Sequence, residues 1–376
     1  MITNYAHELD DVLGLGISSL DITPAENRQL ITRYVTVGQY LSRHWHTDPA
    51  DWSIYPQGSV RLGTITRNTH RNDEIDIDLV AERQVDKRQT TQAQLKTDTG
   101  VALQAFVASR PEGSPTLDEP GKRCWTLLYP GSHLDLLPAL PNPEHSQPDA
   151  ILITDTELRM WQHSNPIGYA DWFHGVMRDG TVVKASVNVD DVPMWPNKSV
   201  LQQAVQALKR HRDIYFTGRL DDRPASVIIT TLAARAYRPG GSLFEALRYI
   251  TKQMPAFVEH TDAGLCVINP VNEHENFADR WKAQPERAAA FFEWLEAAQS
   301  DFESIGRQRG PAVFETLSKA LGQRVAATAS SGRGAELLKA RSSGYLGLTT
   351  ASGAGALVLT GGKTVRPHNF HGSSPA

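Results

Sequence analysis

Cysteine is scarce. The 376 residues hold two, Cys124 and Cys266, far apart and in no CxxC pair. That argues against a zinc ribbon or zinc finger. Two lone thiols suit a reducing compartment, where each packs as a small apolar side chain. A basic excess is also missing. Lys and Arg total 38 against 42 Asp and Glu, a net charge of −4. A protein that coats long DNA or RNA needs a surplus of cations for the phosphates. The N-terminus, MITNYAHELDDVLGLGISS, lacks the basic start and apolar run of a signal peptide. Near the other end the longest apolar stretch is GAGALVLTGG, well short of the roughly 20 residues that cross a bilayer. No internal repeat is visible. What remains is ordinary for a globular chain, 40% hydrophobic and 21% charged. At roughly 150 residues per domain the length suits two domains. A cytoplasmic protein without a membrane partner is expected.

The strongest helix signal is Thr23 to Trp45. Thr23 and Glu26 form a capping box, Pro24 takes the first helical position, and Leu30, Tyr34, Val37, Leu41 and Trp45 make one apolar stripe. DWSIYP reads as a short strand, GSVRLGTI as a turn or short helix, and Glu74 to Glu82 as an alternating strand. Ser109 to Lys122 is a loop rich in Pro and Gly. CWTLLYP and SHLDLLPAL read as a hairpin about Gly131, and Ala150 to Asp155 as a further strand. Helical patterns follow at 197–216, 225–237, 287–305 and 334–341. Strands thus dominate 50–190 and helices 195–341, which predicts α+β with a helical partner domain. Residues 342–376, rich in Gly, Ser and Thr, read as a mobile tail.

The segment QGSVRLGTITRNTHRNDEIDIDLV (57–80) sets the chemical problem. Residues two apart in a strand share a face, so Asp76 and Asp78 project together while Ile75, Ile77 and Leu79 pack the other way. Buried carboxylates need a positive partner. Two of them about 7 Å apart at Cα can grip one hard divalent cation. A DxD pair alone is equally a solvated outer face. Asp135, flanked by Leu134 and Leu136 in a second apolar strand, offers a third carboxylate and the makings of a two-metal site. Gly58 lets backbone approach a phosphate, and Ser59 adds a hydroxyl donor.

These residues resemble the DNA polymerase β-type nucleotidyltransferases, whose signature is GS, then a hydrophobic-Asp-x-Asp strand, then a third acid. QGSVRLGT, DEIDIDLV, LDLLPA, NPIGYADWF and LKRHRD followed by ITTLAARAY are similar to the CD-NTases in particular. Those are the bacterial cyclic GMP-AMP synthase-like enzymes of CBASS antiphage systems. The likeness runs from the first helix to about Arg341.

The resemblance implies a two-lobed α+β fold: a polymerase β-like nucleotidyltransferase core with a mixed sheet, a C-terminal helical domain, and a long N-terminal spine helix joining them. The core would occupy 1–190, the helical domain 191–341 and the tail 342–376. It implies that Asp76, Asp78 and Asp135 are catalytic and bind two Mg²⁺, with Mn²⁺ able to substitute. Gln57, Gly58 and Ser59 would hold the donor triphosphate, and Lys209 and Ser226 would contact phosphate. ATP and/or GTP would be substrates. The product would be a cyclic di- or trinucleotide, cyclic GMP-AMP-like, acting on a downstream effector. The mobile end, HNFHGSSPA, suggests an E1/E2-like conjugation partner. Lacking a zinc cluster and a basic excess, the chain is not expected to sense DNA directly.

On the residues alone, KRHRD is equally a solvated charge run. Tyr169, Trp172 and Phe173 read as core packing before base stacking, and His133 and His211 as structural. Two further readings stay open. One is a linear oligonucleotide synthetase, or an enzyme tagging a small molecule or tRNA. The other is a nucleotide-binding regulator without turnover.

Overall fold

The structure is a computed structural model. It describes residues 2–44, 52–67, 74–111, 114–157, 159–177, 197–262 and 264–343, with short strands at 347–349, 356–358 and 363–364.

The chain opens with α1 (Ile2–Ser18) and α2 (Pro24–His44). The capping box of α2 forms: Thr23 N donates to Glu26 Oε2 at 2.7 Å, and Glu26 N to Thr23 Oγ1 at 3.2 Å. Its apolar stripe is buried from Leu30 to Leu41, and Trp45 lies outside the described residues. Next come β1 (Trp52–Pro56), α3 (Gly58–Leu62), β2 (Ile75–Arg83), α4 (Gln92–Ala108), β3 (Thr116–Leu117), β4 (Trp125–Tyr129), β5 (Ser132–Pro141), β6 (Ile151–Ile153) and β7 (Gln162–Ser164). The strands form one mixed sheet in the order β1-β2-β5-β4-β3, with β6 pairing β5 and β7 pairing β6. β5 is long enough to serve two neighbours. Its first half pairs β4 and its second half pairs β6, while β2 runs parallel along its other edge.

One face of the sheet is mainly apolar. Ile75, Ile77, Leu79, Leu134 and Leu136 pack there with α2 and α4. The opposite face carries the acids first and then Val80, Leu137 and Ala139, against which Ile167 packs. Alternation along each strand separates the two sets.

The second lobe is helical: α5 (Pro166–Met177), α6 (Val200–Tyr215), α7 (Ser226–Ala236), α8 (Leu243–Gln253), α9 (Pro285–Arg307), α10 (Ala312–Leu321) and α11 (Gln323–Ser342). Two small ribbons, β8–β9 (Glu259–Thr261, Gly264–Cys266) and β10–β11 (Ile268–Asn269, Asn272–Asn276), lie between α8 and α9. The sequence patterns did not single out α1, α4, α5, α8 or α10, and gave α11 only from 334.

The hydrophobic cores do not divide at residue 190. α1 packs on α11, α8 and α6, and its Leu9, Val12, Leu13 and Ile17 belong to the helical core, as do Tyr169, Ala170 and Phe173 of α5. The expected spine, Thr23 to Trp45, forms as α2 and packs on the sheet lobe, while a separate helix, α1, ends at Ser18 and packs on the helical lobe. Asp10 of α1 accepts from the backbone N–H of Leu243 and Phe244, placing an anion at the N-terminus of α8.

Part of the tail is ordered as a three-stranded antiparallel sheet, β12 (Gly347–Thr349) between β13 (Ala356–Val358) and β14 (Lys363–Thr364). The end of the tail, 365–376, is outside the described residues. No described helix is long and apolar enough to cross a membrane.

Candidate active site

Gln57 caps α3, and its N–H donates to the Asp78 carbonyl at 2.8 Å. This bond sets the turn between β1 and α3 directly against β2. Gly58 follows with φ +58°, and a Cβ added there would stand 2.5 Å from Asp78 Oδ2. The close approach predicted for a phosphate is thus made to a carboxylate, and only glycine permits it. Ser59 O accepts from Thr64 N at 2.9 Å, closing the far side of the turn.

The parallel register of β2 and β5 sets Asp76 beside His133 and Asp78 beside Asp135. Asp135 accepts from Thr126 Oγ1. Asp76 is exposed, 3.7 Å from His133 Nδ1, and His133 Nε2 lies 3.0 Å from Glu74. Burial drives the Asp78 carboxyl up to about 7, the charges of Asp135 and Asp76 add to the rise, and Lys209 opposes it. Among the described residues no three His, Cys, Asp or Glu side chains close around one point. The aspartates instead form an open cluster. A divalent cation would offset both the burial and the mutual repulsion that raise Asp78, so the donor set fits Mg²⁺ or Mn²⁺.

α6 closes the site from the helical lobe. Its charge run is not a solvated face: Lys209 to Asp213 are all buried. Four of its side chains donate to backbone carbonyls at the end of α3 and just beyond it. Gln202 reaches Leu62 at 2.9 Å, Lys209 reaches Thr64 at 2.9 Å, Gln206 reaches Ile65 at 2.6 Å and Arg210 reaches Arg67 at 2.8 Å. Burial brings the Lys209 ammonium down to about 8, and Arg212 pushes the same way. Arg212 donates to Ser226 Oγ at 2.8 Å and to Asp213 at 2.6 Å, and Arg223 reaches Asp213 at 3.2 Å. His211 is structural. Trp294 Nε1 donates to its Nδ1 at 3.0 Å, so Nε2 carries the hydrogen toward Asp301.

All eight residues singled out from the sequence line one cavity of about 600 Å³ between the lobes. Five cationic side chains line it too: Arg61, Arg123, Lys209, Arg212 and Arg223. Tyr169, Phe277, Asn269 and Glu275 also line it. Tyr169 is both core and wall: its hydroxyl meets Thr231 Oγ1 at 2.8 Å and its ring meets Phe277 edge-on. Phe173 is fully buried, and Trp172 packs against the same core.

Sequence reasoning missed Glu275. Asn269 Nδ2 donates to it at 2.7 Å and Ser164 Oγ at 3.3 Å, and burial pushes its carboxyl up to about 7. It sits in VNEHENF, a segment with no motif, and only the fold brings it to the cavity.

A mixed sheet bearing three acids on one face is thus closed by a helical lobe across a cleft lined by both carboxylates and cations. No family model matches the chain. Among curated proteins it is 28% identical over 320 residues to the c-di-GMP synthase of Roseivirga ehrenbergii, covering 82% of each chain. It is also 28% identical over 306 residues to the cyclic dinucleotide synthase CdnG of Bradyrhizobium diazoefficiens, covering 74% of this chain and 71% of that one. The solved structure of that CdnG with GTP matches with a TM-score of 0.68 at 24% identity, over 87% of this chain and 99% of that one. Escherichia coli DncV in its 3′-deoxy GTP-bound form matches at 0.59 and 16%, over 83% and 94%. The fold is that of the CD-NTases, and the likeness read from the motifs is the one these comparisons return.

Proposed function

We propose that this chain is a nucleotidyltransferase that makes a guanine-containing cyclic purine dinucleotide or trinucleotide, cyclic GMP-AMP-like, from GTP alone or with ATP. One observation carries the reading: a face bearing Asp76, Asp78 and Asp135 looks across one cavity at a set of Lys and Arg side chains. The cations suit a triphosphate, and the acids suit the divalent ions that travel with it. The curated relatives, both named for cyclic dinucleotide synthesis, support the same reading.

Asp76, Asp78 and Asp135 would hold divalent cations, Mg²⁺ or Mn²⁺. Bound there, these lower the pKa of an attacking hydroxyl and neutralise charge on the leaving pyrophosphate. The chain supplies position. The turn at Gly58 and Ser59 and the cations of α6 hold the donor triphosphate with its α-phosphorus in line with the other nucleotide's 2′- or 3′-hydroxyl. Catalysis is then orientation and charge stabilisation. A second transfer by the linear intermediate closes the ring. The product acts on an antiphage effector, and an accessory enzyme of the E1/E2 type takes the C-terminal end as its substrate.

Glu275 supports the choice of guanine. Above about pH 7 its ionised carboxylate, oriented by Asn269 and Ser164, offers two acceptors. Guanine presents two adjacent donors, N1–H and the N2 amino group, where adenine presents an acceptor at N1. Glu275→Gln keeps the shape and turns one acceptor into a donor. At pH 8 it is expected to lower the preference for GTP over ATP by about tenfold or more, read from competition with equal nucleotide concentrations. An unchanged preference rejects this assignment.

The deciding test incubates the purified protein with all four NTPs and Mg²⁺ or Mn²⁺, removes exposed phosphates with phosphatase, and analyses the rest by mass spectrometry. A phosphatase-resistant product lacking terminal phosphates, absent in an Asp76→Ala, Asp78→Ala protein, is expected. A linear product points to an oligonucleotide synthetase. Binding without turnover, even with partner proteins added, points to a regulator.

A further inference from the structure

Thr64 is 1% exposed and lines the cavity, yet its Oγ1 is buried with no hydrogen-bond partner. Such a hydroxyl is costly to leave unmade, because it has given up water and received nothing in return. The residue is not loosely held. Its N–H donates to Ser59 O at 2.9 Å, and its carbonyl accepts from Lys209 Nζ at 2.9 Å. One backbone group thus ties it to the Gly-Ser turn and the other to the helical lobe. The β-branched side chain has few rotamers to choose from.

The cavity that Thr64 lines also carries Arg61, Lys209, Arg212 and Arg223, beside the carboxylates of Asp76, Asp78, Asp135, Asp213 and Glu275. A phosphate oxygen accepts such a hydrogen bond and suits the Lys209 ammonium, whose Nζ lies on the Thr64 carbonyl. We propose that Thr64 donates its hydroxyl to a phosphate oxygen of the bound nucleoside triphosphate, between Ser59 and Lys209. The assignment rests on the nucleotidyltransferase reading. It makes Thr64 a binding residue whose hydroxyl adds nothing to the ligand-free fold and is satisfied on loading. It also gives Lys209 a second task, holding Thr64 in place through its carbonyl.

Thr64→Val removes the hydroxyl and keeps the shape. Binding would be measured for α,β-methylene GTP, which cannot be transferred, and for inorganic tripolyphosphate, both with Mg²⁺. Both affinities are expected to fall about ten- to a hundredfold, the range for losing a hydrogen bond to a charged group. Thr64→Ser should restore them. The ligand-free Val protein should melt at or above the wild-type temperature, since an unsatisfied polar group has been removed. Wild-type affinity in the Val protein, or a lower melting temperature without ligand, overturns the proposal. Loss for the GTP analogue alone moves the contact to the nucleoside and overturns it as well. If the wild-type protein binds neither probe, the nucleotidyltransferase reading itself falls.

Discussion

Asp78→Asn is expected to end product formation and to make the ligand-free protein more stable. The two effects have one cause. Asp78 is pressed against Gly58, faces Asp135 across the parallel register and is largely desolvated. Its carboxyl is raised from the ordinary range to about 7. The folded state therefore binds that proton more tightly than the unfolded chain does. Stability is unaffected by it below about pH 4, falls as pH rises from about 4 to 7, and is lowest above that window. A rise of that size is worth at most about 4 kcal/mol. A buried, partly satisfied amide takes back some of this, leaving a gain of about 2 kcal/mol at pH 8. The melting temperature should rise by a few degrees at pH 8, and the advantage should vanish near pH 4. On the proposal that Asp78 holds a divalent cation at the reacting phosphate, activity should fall by at least about 10³-fold. Mg²⁺ should raise the melting temperature of the wild type and leave the Asn protein nearly unchanged. An Asn protein that melts no higher than wild type at pH 8 refutes the electrostatic account of the cluster. One that still turns over refutes the catalytic assignment.

Gly58→Ala is the second large effect, and it acts through geometry. At φ +58° an alanine is strained by about 1–2 kcal/mol. Its methyl would also stand 2.5 Å from Asp78 Oδ2, closer than real contacts allow. The backbone turn is pinned by the bond from Gln57 N to the Asp78 carbonyl, so the carboxylate must give way. Moving a reacting or coordinating group by about 1 Å costs about 10²-fold. Turnover should drop by that factor or more while the protein stays folded. Gly131→Ala separates the two terms. Its φ is +76° and nothing lies within 4 Å of the added Cβ, so it carries the strain without the collision. It should lose about 1–2 kcal/mol of stability and keep its activity. Equal activity loss in both variants would show that strain, not displacement of Asp78, is responsible.

The acids were legible because strand geometry is local. A period of two places Asp76 and Asp78 on one face whatever the rest of the chain does, and apolar neighbours mark Asp135 as belonging to a buried strand. The capping box at Thr23 was legible for the same reason, since its bonds span three residues. The run KRHRD was ambiguous. Whether a charged helix face meets water or another lobe depends on what packs against it. Here that is the carbonyl row from Leu62 to Arg67, 140 to 145 residues earlier in each pair.

Local pattern was enough for the strands that carry the acids, the Gly-Ser turn, the α+β order of elements and their likeness to a family of nucleotidyltransferases. The folded chain was needed to show that α1 joins the helical core and that Lys209 holds a backbone carbonyl at the lobe seam. It was needed equally to bring Glu275 to the cavity and to leave the Thr64 hydroxyl without a partner. The physical reason is range. Periodicity and capping are set by neighbours within a few residues. Burial, pairing and proton affinity are set by whatever the fold brings alongside.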